Sequence, residues 1–278
     1  MAKKIIIVGG DKRISYLYSM LKGDGYNVNT ALSAQNPHID YEQLKTADVL
    51  ILGMPSSRDG INVFSPETDK SPMSLEHIIK NFGGGIILGG MLPSGVHSYI
   101  SDRTKCIDYA KLDDLMMFNA ISTAEGTVSV IINNTDTTIC SSNIIVIGNG
   151  KCGKVIAKML SGLGAKITVT ARKSYDLAYI EAMGLNYCHS SNITPLLPCA
   201  DVIVNTVPFA LIKPSDYKLI KKDAFLVDIA SLPGYIDKNL CKKYSIKYEH
   251  ALSLPGKTAP KSAGLAIYKA IEPYINQH

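Results

Sequence analysis

The chain has 278 residues, 46% of them hydrophobic, and a formal net charge of +5. At roughly 100–200 residues per domain, this length holds two compact domains, each with its own core. The positive charge is scattered and forms no basic block or helix, which argues against a nucleic-acid partner, and no apolar run reaches the roughly 18 residues of a membrane span.

The N-terminal stretch MAKKIIIVGGDKR carries two lysines before an apolar run, but the run stops at Gly9-Gly10-Asp11. A secretory apolar region needs about 7–15 residues, so the stretch predicts a first strand, Lys4–Val8. Further strands are predicted at Val49–Leu52, Gly85–Leu88, Asn143–Ile147, Ala165–Thr170, Val202–Asn205, Ala224–Asp228 and Lys247–Glu249. Continuous Val/Ile/Leu runs separated by helical patterns are the signature of parallel sheets covered on both faces. The halves also echo each other: IIIVGGDKR is followed by ADVLILGMP, and IIVIGNGKCG by ADVIVNTVP. The expected fold class is α/β, with two doubly wound domains, flavodoxin-like and Rossmann-like, and a cleft between them. The expected boundaries are 1–120 for a substrate domain and 121–260 for a dinucleotide-binding domain. Between the halves, Ser122 or Thr123 is read as the N-cap, and Glu125 as the first-turn acid, of a connecting helix over 122–134. A helical tail from about 260 to 278 is expected to pack back on the first domain.

Gly148, Gly150 and Gly153 form G-x-G-x-x-G directly after a predicted strand and before the helical pattern KVIAKMLSGLG. In such a loop the first glycine allows the tight turn, the second lets a pyrophosphate approach, and the third lets helix and strand pack closely. Asn149, Lys151 and Cys152 fill the intervening positions, where helix-start N–H groups face the phosphates. The following strand ends at Thr170, so the acid that accepts from a ribose 2′-hydroxyl should stand near 171 or 172. Arg172 stands there instead, followed by Lys173 and Ser174. A guanidinium pairs with phosphate, so the pattern favours NADP over NAD. Gly9-Gly10-Asp11 lacks the third glycine and puts a carboxylate where phosphates would sit, so no dinucleotide is expected in the first domain. Its Asp11 and Arg13 lie past the end of the first strand, where open sheets present ligands.

The loops VNTVPFA and DIASLPG each follow a predicted strand of the second domain. Thr206, Val207, Pro208, Asp228, Ala230 and Ser231 are therefore expected to border the nicotinamide half of the cofactor. The stretch Ser253–Gly264 places Lys257 and Lys261 at the start of a helical pattern, where an anionic substrate could be held. Six cysteines form no CxxC pair and no metal-ligand cluster with the six histidines, so no metal site is expected and a reduced compartment fits. Neither Ser-His-Asp order nor HExxH nor paired carboxylates suggest hydrolysis. His250 is either a proton-transfer group or a structural histidine.

The stretches 119–139, 146–174, 228–234 and 254–264, with VGGDKR near the start, resemble the dipicolinate synthase A-subunit family over nearly the whole chain, in order. That family is similar in layout to two-domain 2-hydroxyacid dehydrogenases and to adenosylhomocysteinase. The resemblance implies an NADP-binding subunit that oxidises a cyclic dicarboxylate of the lysine/diaminopimelate branch to pyridine-2,6-dicarboxylate. It also implies a flavoprotein-like B-subunit as partner, and a cytoplasmic setting in the mother cell of a sporulating bacterium. The chain departs from the family at one loop, with Leu252-Ser253-Leu254-Pro255-Gly256 where relatives tend to read Pro-Gly-Leu-Pro-Gly.

Such chemistry asks the protein to align and desolvate a substrate with two carboxylates. Lys261 is expected to anchor one carboxylate, and Arg13 or the Ser122–Glu125 turn the other. Glu125 is a candidate base, unless water takes the ring proton. Two alternatives stay open. A 2-hydroxyacid dehydrogenase would need an arginine in its second domain, and Arg172 is the only arginine after residue 103. A non-catalytic NADP-binding regulatory subunit would close on cofactor without turnover. Whether the chain forms a homo-oligomer is also open.

Overall fold

The computed structural model describes residues 3–68, 72–231 and 233–276; Leu232 of the DIASLPG loop and the last two residues of the tail lie outside them. The chain divides into two compact units, Met1–Asn119 with Ala259–His278, and Ala120–Thr258.

The first unit runs β1 (Lys4–Val8), α1 (Lys12–Gly23), β2 (Asn27–Ala31), α2 (Tyr41–Thr46), β3 (Val49–Leu52), α3 (Leu75–Lys80), β4 (Ile86–Gly89) and β5 (Lys105–Asp108). The strands pair in parallel in the order β2-β1-β3-β4-β5, the flavodoxin-like arrangement that reverses direction between β1 and β3. Both faces of β1 are buried: Ile5 and Ile7 pack with Ile14, Leu17 and Leu21 of α1, while Ile6 and Val8 pack with Leu44, Leu75 and Ile78. That two-sided burial explains why the strand is apolar without alternation.

Helix α4 (Asp113–Asn134) begins in the first unit and ends in the second, which continues β6 (Asn143–Ile147), α5 (Lys151–Gly162), β7 (Lys166–Ala171), α6 (Ser174–Ala182), β8 (Asn186–His189), β9 (Val202–Asn205), β10 (Phe225–Asp228), α7 (Lys238–Lys243), β11 (Lys247–His250) and α8 (Leu254–Thr258). Its parallel sheet has the order β11-β10-β9-β6-β7-β8. Strand order reverses between β6 and β9, as in the doubly wound sheets that bind dinucleotides.

Helix α9 (Pro260–Asn276) belongs to the first unit. Its Ile267, Ile271 and Ile275 are buried in the same core as β1 and α1, and full burial of each such side chain contributes about 1.5–3 kcal/mol. Gly264 permits the close approach, since a Cβ there would lie 2.7 Å from the carbonyl oxygen of Arg13.

Three strands escape the apolar-run criterion: β2 (NVNTA), β5 (KCID) and β8 (NYCH). Each is at a sheet edge, where fewer neighbours cover it and polar residues are tolerated. The connecting helix also starts nine residues before Ser122, at Asp113, with Asp113 and Asp114 in its first turn. Among the described residues α4 alone is long and apolar enough to cross a membrane, yet Leu115, Ala120, Ala124, Thr127 and Ile131 are buried within the fold.

Candidate dinucleotide site

The glycine loop joins β6 to α5. Gly148 has φ +105°, which favours glycine, and a Cβ there would strike Val207 Cγ1 at 2.4 Å and Thr206 Oγ1 at 2.7 Å. At Gly153 a Cβ would lie 2.1 Å from the Gly148 carbonyl oxygen, so α5 can sit this close to the loop only without a side chain. By contrast, a Cβ on Gly150 would meet nothing within 4 Å, and Gly150 caps α5 without any side-chain hydrogen bond. A buried first glycine, an open second one and a helix start uncapped by side chains fit a pyrophosphate, because the helix-start backbone and the helix dipole then face accessible space.

Neighbouring side chains fix the loop. The Asn149 amide donates to Asp176 Oδ1 in the first turn of α6 (3.2 Å), and the Thr206 hydroxyl donates to the Ile147 carbonyl (2.8 Å). Cys152 is half-buried beside Thr123; burial pushes its thiol pKa up, so it serves as a spacer and not as a nucleophile. Lys151 is also half-buried.

At the end of β7, Arg172, Lys173 and Ser174 are all exposed. The Arg172 guanidinium lies 4.8 Å from the centre of the Phe209 ring, and its backbone carbonyl is 3.2 Å from His189 Nε2. Lys173 is the N-cap of α6 and gives it no side-chain cap, so two cations flank a second uncapped helix start. This donor set fits a phosphate ester better than a bare ribose diol. Phe209 and His189, which contact Arg172, were not legible as partners because they come from segments distant in the chain. The single signal was an aromatic one residue after Pro208.

Asp228 corrects an expectation. Its carboxylate is fully buried and is taken up by donors of the chain itself: Oδ1 accepts from Asn205 Nδ2 (2.9 Å) and the Ala230 N–H (3.0 Å), Oδ2 from the N–H groups of Tyr235 (2.6 Å) and Ile236 (3.2 Å). It thereby shapes the loop that presents the Ala230 backbone and exposed Ser231. Pro208 is exposed, and Val207 is half-buried against the glycine loop. His250 contacts the Ala230 carbonyl (2.8 Å), which favours its structural role. Asn205 and Asp228 each close an apolar run, VIVN and FLVD, at paired register, and that polar ending was the available signal.

Two anchors are also corrected. Arg13 is buried: its Nε and Nη2 donate to Asp11 (2.9 and 2.8 Å), and Nη2 donates to the Met54 carbonyl, so the guanidinium ties β1 to the loop after β3. The Gly10 N–H donates to the Phe64 carbonyl (2.6 Å), so the first glycine pair receives a loop of the chain itself where a phosphate would need to sit. Ser122, Thr123 and Glu125 form no turn; they are mid-helix in α4, with Ser122 buried and Glu125 exposed. Thr127 donates to the Thr123 carbonyl (2.8 Å), and buried Ala120, Ala124 and Ile131 carry the helix through this stretch, overriding the capping preference of Ser and Thr. Lys261 is exposed in the first turn of α9, whereas Lys257 lies in the short α8. Among the described residues no group of three or more His, Cys, Asp or Glu could hold a metal, and all six cysteines are free thiols.

Residues 4–110 match the N-terminal domain of the dipicolinate synthase A-subunit, and residues 130–247 the shikimate/quinate 5-dehydrogenase family. The dipicolinate synthase A-subunit of Bacillus subtilis (strain 168) is 30% identical over 274 residues, covering 94% of this chain and 92% of that protein. This chain belongs to the dipicolinate synthase A-subunit family. The crystal structure of the corresponding protein from Bacillus halodurans agrees, with a TM-score of 0.89 at 26% identity over 98% of this chain and 97% of that one. A transhydrogenase from Sinorhizobium meliloti shares the fold alone, with a TM-score of 0.70 at 14% identity over 99% of this chain and 94% of that one. A dehydrogenase-like Rossmann unit implies a nicotinamide cofactor.

Ser253, where the resemblance leads one to expect a glycine, holds φ +59°. The loop adopts the left-handed backbone there at a cost of about 1–2 kcal/mol for a residue with a Cβ. Ser253→Gly is expected to stabilise the chain by up to about 1 kcal/mol after the added flexibility of unfolded glycine is counted. Urea unfolding checks this; a loss of stability would show that the serine side chain compensates for the backbone.

Proposed function

We propose that this chain is the NADP-binding subunit of a dipicolinate synthase, which oxidises a dihydrodipicolinate-type cyclic dicarboxylate to pyridine-2,6-dicarboxylate during sporulation. The observation that carries this reading is Arg172, exposed beside the uncapped start of α6 in a chain of this family. The unit Ala120–Thr258 is proposed as the cofactor domain and the other as the substrate domain. The Bacillus subtilis relative is named as the A-subunit of its synthase, and the reading includes a second, flavoprotein-like B-subunit and a cytoplasmic setting in the mother cell.

A bound nicotinamide supplies a hydride acceptor for this oxidation, which also releases one ring proton. The Gly148–Gly153 loop and Arg172 are proposed to hold the cofactor's phosphates, and the backbone of Thr206–Pro208 and Ala230–Ser231 to border its reactive half. Lys261 is proposed to bind a substrate carboxylate at the start of α9. Glu125, exposed on α4, is proposed to take the ring proton.

Steady-state reduction of NADP+ by the chain with the B-subunit tests the assignment. Lys261→Met is expected to raise KM by about 10- to 100-fold, the equivalent of one charge-assisted hydrogen bond, without altering NADP+ affinity. Glu125→Gln should lower kcat in the same assay. Unchanged kinetics would remove Lys261 from the site and assign the proton of Glu125 to water. Absence of turnover with the B-subunit present would favour a regulatory, non-catalytic role.

A further inference from the structure

Beside the glycine loop, whose Asn149 lines one end, the second unit contains a slot of about 230 Å³ between α5 and α6. Its floor is apolar and buried, formed by Ala157, Val169 and Ile180. Two cations stand one helical turn apart on one wall, Lys154 and Lys158, facing Tyr179 and Met183 one turn apart on the other. Lys154 Nζ lies 4.2 Å from the centre of the Tyr179 ring. No Asp or Glu is among the described residues that line the slot.

An apolar floor selects against a hydrated inorganic ion, and two ammonium groups without a lining carboxylate select for negative charge. An aromatic wall already placed beside a cation favours a flat ring, which can stack on Tyr179 while its charged edge meets the lysines. The volume is below the roughly 300–1,000 Å³ of drug-sized sites, so the slot suits a single ring. We propose that it is a second ligand site, adjacent to the dinucleotide site, which takes a small aromatic carboxylate. The slot borders the dinucleotide site through Asn149, but the proposal does not depend on the oxidation reaction, because Lys154, Lys158 and Tyr179, which carry it, lie outside the glycine loop and Arg172 does not line the slot.

Met183 reports on the slot directly. In the full chain with isotope-labelled methionine methyl groups, benzoate and pyridine-2,6-dicarboxylate are expected to shift the Met183 resonance saturably, with assignment by Met183→Leu. Cyclohexanecarboxylate, equally charged but not flat, should shift it far less. The double substitution Lys154→Gln, Lys158→Gln should weaken the response by at least about tenfold, with the remaining methionine signals unmoved as proof of folding. Arg172→Asp should leave it intact, which separates this site from the dinucleotide site. A silent Met183, an equal response in the double variant, or an equal response to the non-planar acid would overturn the proposal.

Discussion

Replacing Arg172 with aspartate is expected to raise the dissociation constant for NADP+ by about 10- to 100-fold while moving that for NAD+ by less than about threefold. The reason is local. Arg172 is exposed at the end of β7, lies on the Phe209 ring, and flanks a helix start that carries no side-chain cap. A phosphate on the 2′-oxygen would meet this guanidinium, with Lys173 and Ser174 as further donors; an aspartate would repel it while accepting from a bare hydroxyl. Parallel calorimetric titrations of wild type and variant with both cofactors check this, and the NADP+ advantage should shrink as salt rises. Equal wild-type affinity for the two cofactors would reduce Arg172 to a cation stacked on an aromatic ring and remove the support for NADP.

The second large effect lies beneath the site. Asp228→Ala would strip an acceptor from four donors at once, three of them in buried bonds: Asn205 Nδ2, which keeps the Val207 carbonyl, and the N–H groups of Ala230, Tyr235 and Ile236. Orphaned donors cost about 1–3 kcal/mol each where water cannot reach them, and partial relaxation of the 229–236 loop should hold the total near 3–5 kcal/mol. Thermal unfolding should therefore drop by roughly 10 °C. Asp228→Asn keeps an acceptor but sets an amide against N–H groups, so an intermediate loss is expected. A variant as stable as wild type, with weakened cofactor binding alone, would return Asp228 to the role of a direct cofactor ligand.

Arg13 and Arg172 illustrate how much of the site was legible. Both stand just past the end of a strand in a doubly wound unit, and both read as anion anchors. Arg172 is exposed, whereas Arg13 is enclosed by Asp11 and the Met54 carbonyl. Asp11, two positions before Arg13, was the one local signal that separates them; the loop after β3 that completes the enclosure is distant in the chain, with Met54 41 positions away. Ser122, Thr123 and Glu125 failed for a similar reason: capping preference is local, and the buried face that carries α4 past them depends on packing.

The amino-acid order alone determined the parallel α/β class, the central strands and the spacing of the glycine loop. These follow from short-range physics: two-sided burial demands unbroken apolar runs, and a tight strand-to-helix turn demands glycine at set positions. Tertiary structure decided which polar side chains stay accessible, which edge strands form despite weak patterns, and that Asp228 holds its own loop. Those outcomes depend on whether distant segments supply hydrogen-bond partners and exclude water, and neither condition is encoded within any single stretch of the chain.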